Sequence, residues 1–217
     1  MIFLNKRSLS QSESVIKYNF IYGLVIILIC LLVNASIRLD FYFLKGIPEI
    51  SFTETLQAIA LLLIVICFKK AMRFEHIRAG SFLVGGFFSV LLIRENDFWF
   101  DKIFHGFWAY PALCLSLFTV FIFIKAKRKS ISQFRRLLQF QAMNKVIIGT
   151  ILLIIFSRIF GTGSFWQSVT INDSFIVKTI IQEGLELLCY CLIAIGAYEV
   201  LQEAKKTFVE RTKPIAV

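Results

Sequence analysis

Four groups of polar residues stand in or beside long apolar stretches, where lipid offers them no partner. The first is Glu183 with Glu186. On a helix, Thr179, Glu183, Glu186 and Tyr190 share one face at i, i+4, i+7 and i+11. Paired carboxylates can trade a proton as general acid and base, or hold a divalent cation. The second group follows Asn96, a residue type that caps helices. Asp97, Asp101 and His105 then fall at i, i+4 and i+8. Two carboxylates below an imidazole can ligate a metal, or orient a histidine base. The third is Glu54 with Gln57, one turn apart, and the fourth is Arg94 with Arg158, cations able to position an anionic group.

Each group has a structural alternative. Glu183 and Glu186 can be buried hydrogen-bonding partners that fix helix packing. Asp97 and Asp101 can sit in a solvated loop, paired with Lys102 and flanked by an interfacial belt of Trp99 and Trp108. Glu54 suits the positive end of a helix dipole, and the arginines can snorkel to phosphates. As a site, the expectation is Glu183, Glu186, Asp97 and His105 for acid–base chemistry. Glu54, Gln57, Arg94 and Arg158 would position substrate. Asp101, His105, Glu183 and Glu186 are the donors for a divalent metal, if one binds.

The elements carrying these groups are membrane spans. Of 217 residues, 58% are hydrophobic and only 18% charged, and mean hydropathy is +0.75. A water-soluble domain carries about a quarter charged residues, so a soluble globule, a disordered chain and a disulfide-rich module are all excluded. Six apolar stretches, about 18–37, 52–68, 79–93, 106–124, 145–161 and 174–200, suit helices that cross a bilayer. The third is short and must run on past Arg94. None alternates with period two, so a transmembrane barrel is excluded. Pro111 is expected to kink the fourth span. In the third, Ser81, Gly85 and Ser89 recur at i+4, a stripe that lets helices approach.

Charge orients the bundle. Eighteen of the 24 Lys and Arg fall in 1–17, 69–78, 125–145 and 201–217. The other six are Arg38, Lys45, Arg94, Lys102, Arg158 and Lys178. Lysine and arginine accumulate on the cytoplasmic side, so six spans with both termini cytoplasmic are expected. The chain is then an all-α integral membrane protein of one domain, placed in a bacterial inner membrane. All four polar groups would share its outer half.

Segment 126–144 carries Ile131, Phe134, Leu137 and Leu138 at helical spacing beside Lys129, Arg135 and Arg136. It is expected to be an amphipathic helix on anionic inner-leaflet lipid. The basic residues are spread over separate flanking loops and form no single domain face, which argues against nucleic acid as a partner. The five cysteines, each within an apolar run, read as packing residues. The apolar run after Lys6, Arg7 and Lys17 reads as a retained anchor. Three functions fit: a membrane scaffold or subunit with a protein partner, a hydrolase or transferase acting on a lipid-like substrate, and an ion- or proton-coupled transporter.

Overall fold

The computed structural model describes residues 2–48, 50–169 and 174–212. Side chains are described for 13, 15–48, 50–157, 159–168 and 174–211. Among these residues the chain is all-helical, without a strand. Ten α-helices run in order: α1 (Ile2–Leu44), α2 (Phe52–Ala71), α3 (Arg78–Glu95), α4 (Asp97–Phe100), α5 (Ala109–Lys125), α6 (Lys127–Leu138), α7 (Gln141–Ile151), α8 (Ser157–Phe160), α9 (Gly163–Val169) and α10 (Ser174–Thr212). A 3-10 turn, Glu75–Ile77, leads into α3, and a π turn, Leu152–Phe156, joins α7 to α8.

Four helices are long and apolar enough to cross a membrane: Val15–Leu44, Phe52–Ala71, Glu75–Glu95 and Ser174–Arg211. α5 passes the same test only together with α6, from which it is bent by 107°. Gln141–Phe156 is apolar but shorter. Four or five such helices are the pattern of a multi-pass membrane protein.

α10 is the hub. It packs on α1, α2, α7, α8 and α9, while α3 carries α2, α5 and α6. The core joins Leu61, Ile64 and Phe68 of α2 to Leu187, Ile193 and Val200 of α10, all fully buried. α7 reaches α10 through glycine: a Cβ on Gly149 would lie 2.6 Å from Ile193 Cγ1. α1 and α5 lie outside and expose large side chains such as Leu28 and Phe121, as lipid-facing helices do. The gap between α7 and the α3–α5 pair is left open, because α7 packs on α10 and α6 instead.

Local sequence explains the start of α2. Ser51 is the N-cap and its Oγ accepts from the Glu54 N–H. Asp40, fully buried on α1, takes the N–H groups of Phe52 and Thr53 at 2.6 and 3.0 Å. One carboxylate thus satisfies orphan donors of the next helix and fixes the α1–α2 corner.

Three expectations are corrected. Pro111 kinks nothing: α5 begins at Ala109, so Pro111 sits in its first turn, where no backbone donor is needed. Segment 126–144 is not one helix. α6 ends at Leu138, α7 starts at Gln141, and Phe140 between them is extended. Nor does α6 turn all four of its apolar residues outward. Leu137 is fully buried in the protein, and only Ile131 and Leu138 of that set are exposed.

Candidate functional site

The polar residues of the bundle interior collect around the start of α2, the end of α3 and the first half of α10, around the gap beside α7. Glu186 and Tyr190, one turn apart on α10, face Arg94 and Glu95 at the end of α3. Arg94 Nη2 lies 2.7 Å from Glu95 Oε1, which also accepts from the Tyr190 hydroxyl at 2.8 Å. The same guanidinium nitrogen is 3.7 Å from Glu186 Oε2, an ion-pair separation without a hydrogen bond. Glu186 Oε1 accepts from Gln182 Nε2 at 3.2 Å. Glu95 and Glu186 are nearly buried, with side-chain exposures of 11% and 7%, whereas Arg94 is 41% exposed. One half-exposed cation therefore serves two buried carboxylates, and among the described residues the Oε2 of Glu186 has no hydrogen bond.

These groups line a cavity of about 740 Å³, with Arg94, Lys178, Gln182, Glu186 and Tyr190 on its polar side and Leu91, Leu153 and Ile154 on its apolar side. The π turn builds that apolar wall. An extra residue in a helical turn shifts the side chains beyond it, and such turns gather at functional sites. Gly161 completes it: a Cβ there would meet Gln182 Oε1 at 2.8 Å. Further along the same gap, toward α6, lies a second cavity of about 450 Å³, lined by apolar residues such as Val90, Val120 and Ile151. A polar chamber and an apolar one thus follow each other along the α3–α7 cleft.

Glu183 faces another way. It is one residue short of a full turn from Glu186, and that offset turns it toward α2. Gln57, fully buried, donates to Glu183 Oε2 and to its backbone carbonyl, both at 3.1 Å. Among the described residues Gln57 Oε1 has no hydrogen-bond partner. This pair ties α2 to α10 within the protein. The small-residue stripe of α3 is also turned toward α2: Ser81 is fully buried, and a Cβ on Gly85 would meet Phe68 Cβ at 3.2 Å.

The structure divides the residues singled out in the sequence. Gln57 joins Glu183, and Arg94 joins Glu186. Glu54 sits in the first turn of α2. The side chain of Arg158 lies outside the described residues. Asn96 does not cap a helix running into α5. Its side chain turns back to the Leu92 carbonyl, and α4 ends after four residues at Phe100. Asp97, Asp101 and His105 therefore do not form a helical stripe. His105 and Asp101 still meet, Nδ1 to Oδ2 at 3.0 Å, because the chain turns at Gly106. Gly106 has φ +83° and donates its N–H to Asp101 Oδ1 at 3.0 Å. That imidazole is fully exposed. Lys102 pairs with neither aspartate and lies instead over the Trp99 ring, 3.8 Å from its centroid.

Among the described residues, no three His, Cys, Asp or Glu side chains come together as a metal site requires. The proposed donors Asp101, His105, Glu183 and Glu186 are thus split into an exposed Asp–His pair, a carboxylate turned to α2, and one in the cavity. Glu95 is the residue that sequence reasoning passed over. Its signal was Tyr190, a phenol one turn beyond Glu186 that needs an acceptor when buried.

No protein-family model matches the chain, no curated protein matches it, and no solved structure matches it.

Proposed function

We propose that the chain is a six-span protein of a bacterial inner membrane, with both termini cytoplasmic, and that it acts on a lipid-like substrate at the outer side. The polar head would occupy the Arg94–Glu186 cavity and the tail the apolar chamber behind it. The observation that carries this reading is a nearly buried Glu186 whose Oε2, free of hydrogen bonds among the described residues, stands beside a cavity of about 740 Å³ that Glu186 lines. That volume is in the range of small-molecule sites. A carboxylate retained only to hold helices together would be closed against its partner, since burial without one costs several kcal/mol or about that order.

The chemistry is hydrolysis or group transfer with Glu186 as general base and then acid. Its Oε2 takes the proton of an attacking water or alcohol as that oxygen bonds to the acyl carbon or phosphorus. The proton then passes to the departing oxygen as its bond breaks. Arg94 and Lys178 balance the developing negative charge. Tyr190 and Glu95 hold Arg94 in place. Glu183 stays with Gln57 and positions α10.

The scaffold reading, with a protein partner, is favoured by one observation: the Gln57–Glu183 contact is closed and joins helices, as structural polar groups do. A transporter would need polar residues to continue toward the α6 end, where the cleft is apolar.

The test uses the protein in nanodiscs made from a total bacterial polar lipid extract, with lipids followed by mass spectrometry. Wild type is expected to deplete one lipid class, and Glu186→Gln to leave it intact while remaining folded. Unchanged lipids with wild type would remove the enzyme and leave the scaffold.

A further inference from the structure

A second polar pocket lies at the opposite end of the bundle, where α6 crosses beside the 75–79 turn. It has a volume of about 400 Å³. His76 forms its floor, buried between the rings of Phe74 and Phe140, each 6.2 Å from the imidazole. His76 is 8% exposed, and its Nε2 is buried without a hydrogen-bond partner. A ring nitrogen in that position is costly unless something outside the described chain meets it.

The walls say what that is. Arg136 on α6 and Arg211 near the end of α10 line the pocket, together with Ser132 and Lys129. Neither arginine has an ion pair among the described residues, whereas Lys129 is held by Glu75 at 3.0 Å. Glu75 is the pocket's one carboxylate, and Lys129 already balances it. Two guanidinium groups without an ion pair among the described residues, a hydroxyl and an imidazole nitrogen can together donate to the oxygens of a phosphate. α6 is amphipathic and bent 107° from α5, so it runs across the bundle end. Its exposed Ile131 and Leu138 are suited to lipid at that level.

We propose that this pocket binds a phosphate-bearing anion, with His76 Nε2–H donating from the floor and Arg136 and Arg211 closing on the phosphate from α6 and α10. Only the choice of leaflet rests on the orientation proposed above. Under that orientation the pocket faces the cytoplasmic leaflet, whose anionic lipids supply such groups. A lipid headgroup and free phosphate share this chemistry, and the experiment separates them.

The full chain in detergent is melted against dihexanoylphosphatidylglycerol, dihexanoylphosphatidylcholine and inorganic phosphate. Phosphatidylglycerol is expected to raise the melting temperature more than phosphatidylcholine. The double variant Arg136→Gln/Arg211→Gln should raise its half-saturating concentration about tenfold or more. Lys125→Gln/Arg128→Gln removes two cations from the same end but outside the pocket, and should leave that concentration unchanged. His76→Phe keeps the ring between Phe74 and Phe140 without the N–H and should weaken binding severalfold. Inorganic phosphate behaving in the same way across the variants identifies the free anion; a response confined to phosphatidylglycerol identifies the headgroup. No stabilisation by either, equal effects of both double variants, or an equal response to phosphatidylcholine overturns the site. Glu186→Gln should bind phosphatidylglycerol like wild type, so failure of the lipid-processing reading leaves this test intact.

Discussion

Tyr190 illustrates how much a single hydroxyl organises. It is 1% exposed, and its hydroxyl donates to Glu95, which also holds Arg94. Tyr190→Phe keeps the ring and deletes the donor, leaving a nearly buried carboxylate with one partner fewer. A hydrogen bond to a charged group contributes about 2 kcal/mol, so the variant should lose stability of that order in denaturation of the detergent-solubilised protein. Arg94, tethered on one side only, should then hold substrate less well. A double-mutant cycle with Glu95→Gln should show strong coupling. Strictly additive losses would mean that the two side chains do not act on each other. Glu183 and Glu186 make the complementary point: three residues of spacing separate a helix-joining carboxylate from one facing a cavity.

At the scale of elements, one side chain and one glycine stand out among the contacts of α6 with α3 and the 75–79 turn. Gln133, 7% exposed, donates to the Glu75 carbonyl at 2.6 Å and accepts from the Ala79 N–H at 2.9 Å. Next to it, α6 approaches α3 so closely that a Cβ on Gly80 would lie 2.9 Å from the Phe134 Cα. That neighbour is backbone and cannot swing aside, so α6 itself must move. Gln133→Met should cost about 2 kcal/mol through two lost bonds and an orphaned Ala79 N–H. Gly80→Ala should cost about 1–3 kcal/mol through overpacking. Both changes should open the α3–α6 contact, which a Ser130→Cys reporter reads directly, since Ser130 is fully buried. Maleimide labelling that stays at the background rate in both variants would show that α6 is held by something else.

For the whole molecule, the central prediction concerns orientation. Polar contacts at the two ends differ in kind. The α6 end joins Lys145 to Glu199 at 2.6 Å, with Tyr18 donating to the same glutamate, and so ties α1, α7 and α10. The other end gathers the carboxylates of Glu95 and Glu186 around Arg94. α10 has 39 residues and therefore rises about 58 Å, well beyond a hydrocarbon core of about 30 Å. It therefore extends beyond the lipid tails at one end or at both. Reporter fusions after Lys70 and Lys129 should report the cytoplasm, and fusions within 96–102 the exterior. An external report at Lys129 would reverse the orientation, because that segment carries the densest basic charge.

Composition and the run of apolar residues were enough to establish a helical, multi-pass chain, since lipid leaves the backbone no partner except itself. The helix ends were partly legible as well: Ser51 and Glu54 announce the start of α2 through local bonding. Lys and Arg spacing supplied the expectation of sidedness, for the same local reason. Partnerships between helices were not legible in this way. Whether Glu183 meets Gln57 or Glu186 meets Arg94 depends on how each helix is rotated about its axis, and close approaches at Gly80 and Gly149 set that rotation. The Asp97–Asp101–His105 stripe failed because a helix was assumed to continue where Asp97 and three aromatic residues form only a single turn. The cavity itself is a space that α7 leaves by packing on α10 and α6 instead of α3. A gap of that kind has no residue of its own, so only tertiary packing could reveal it.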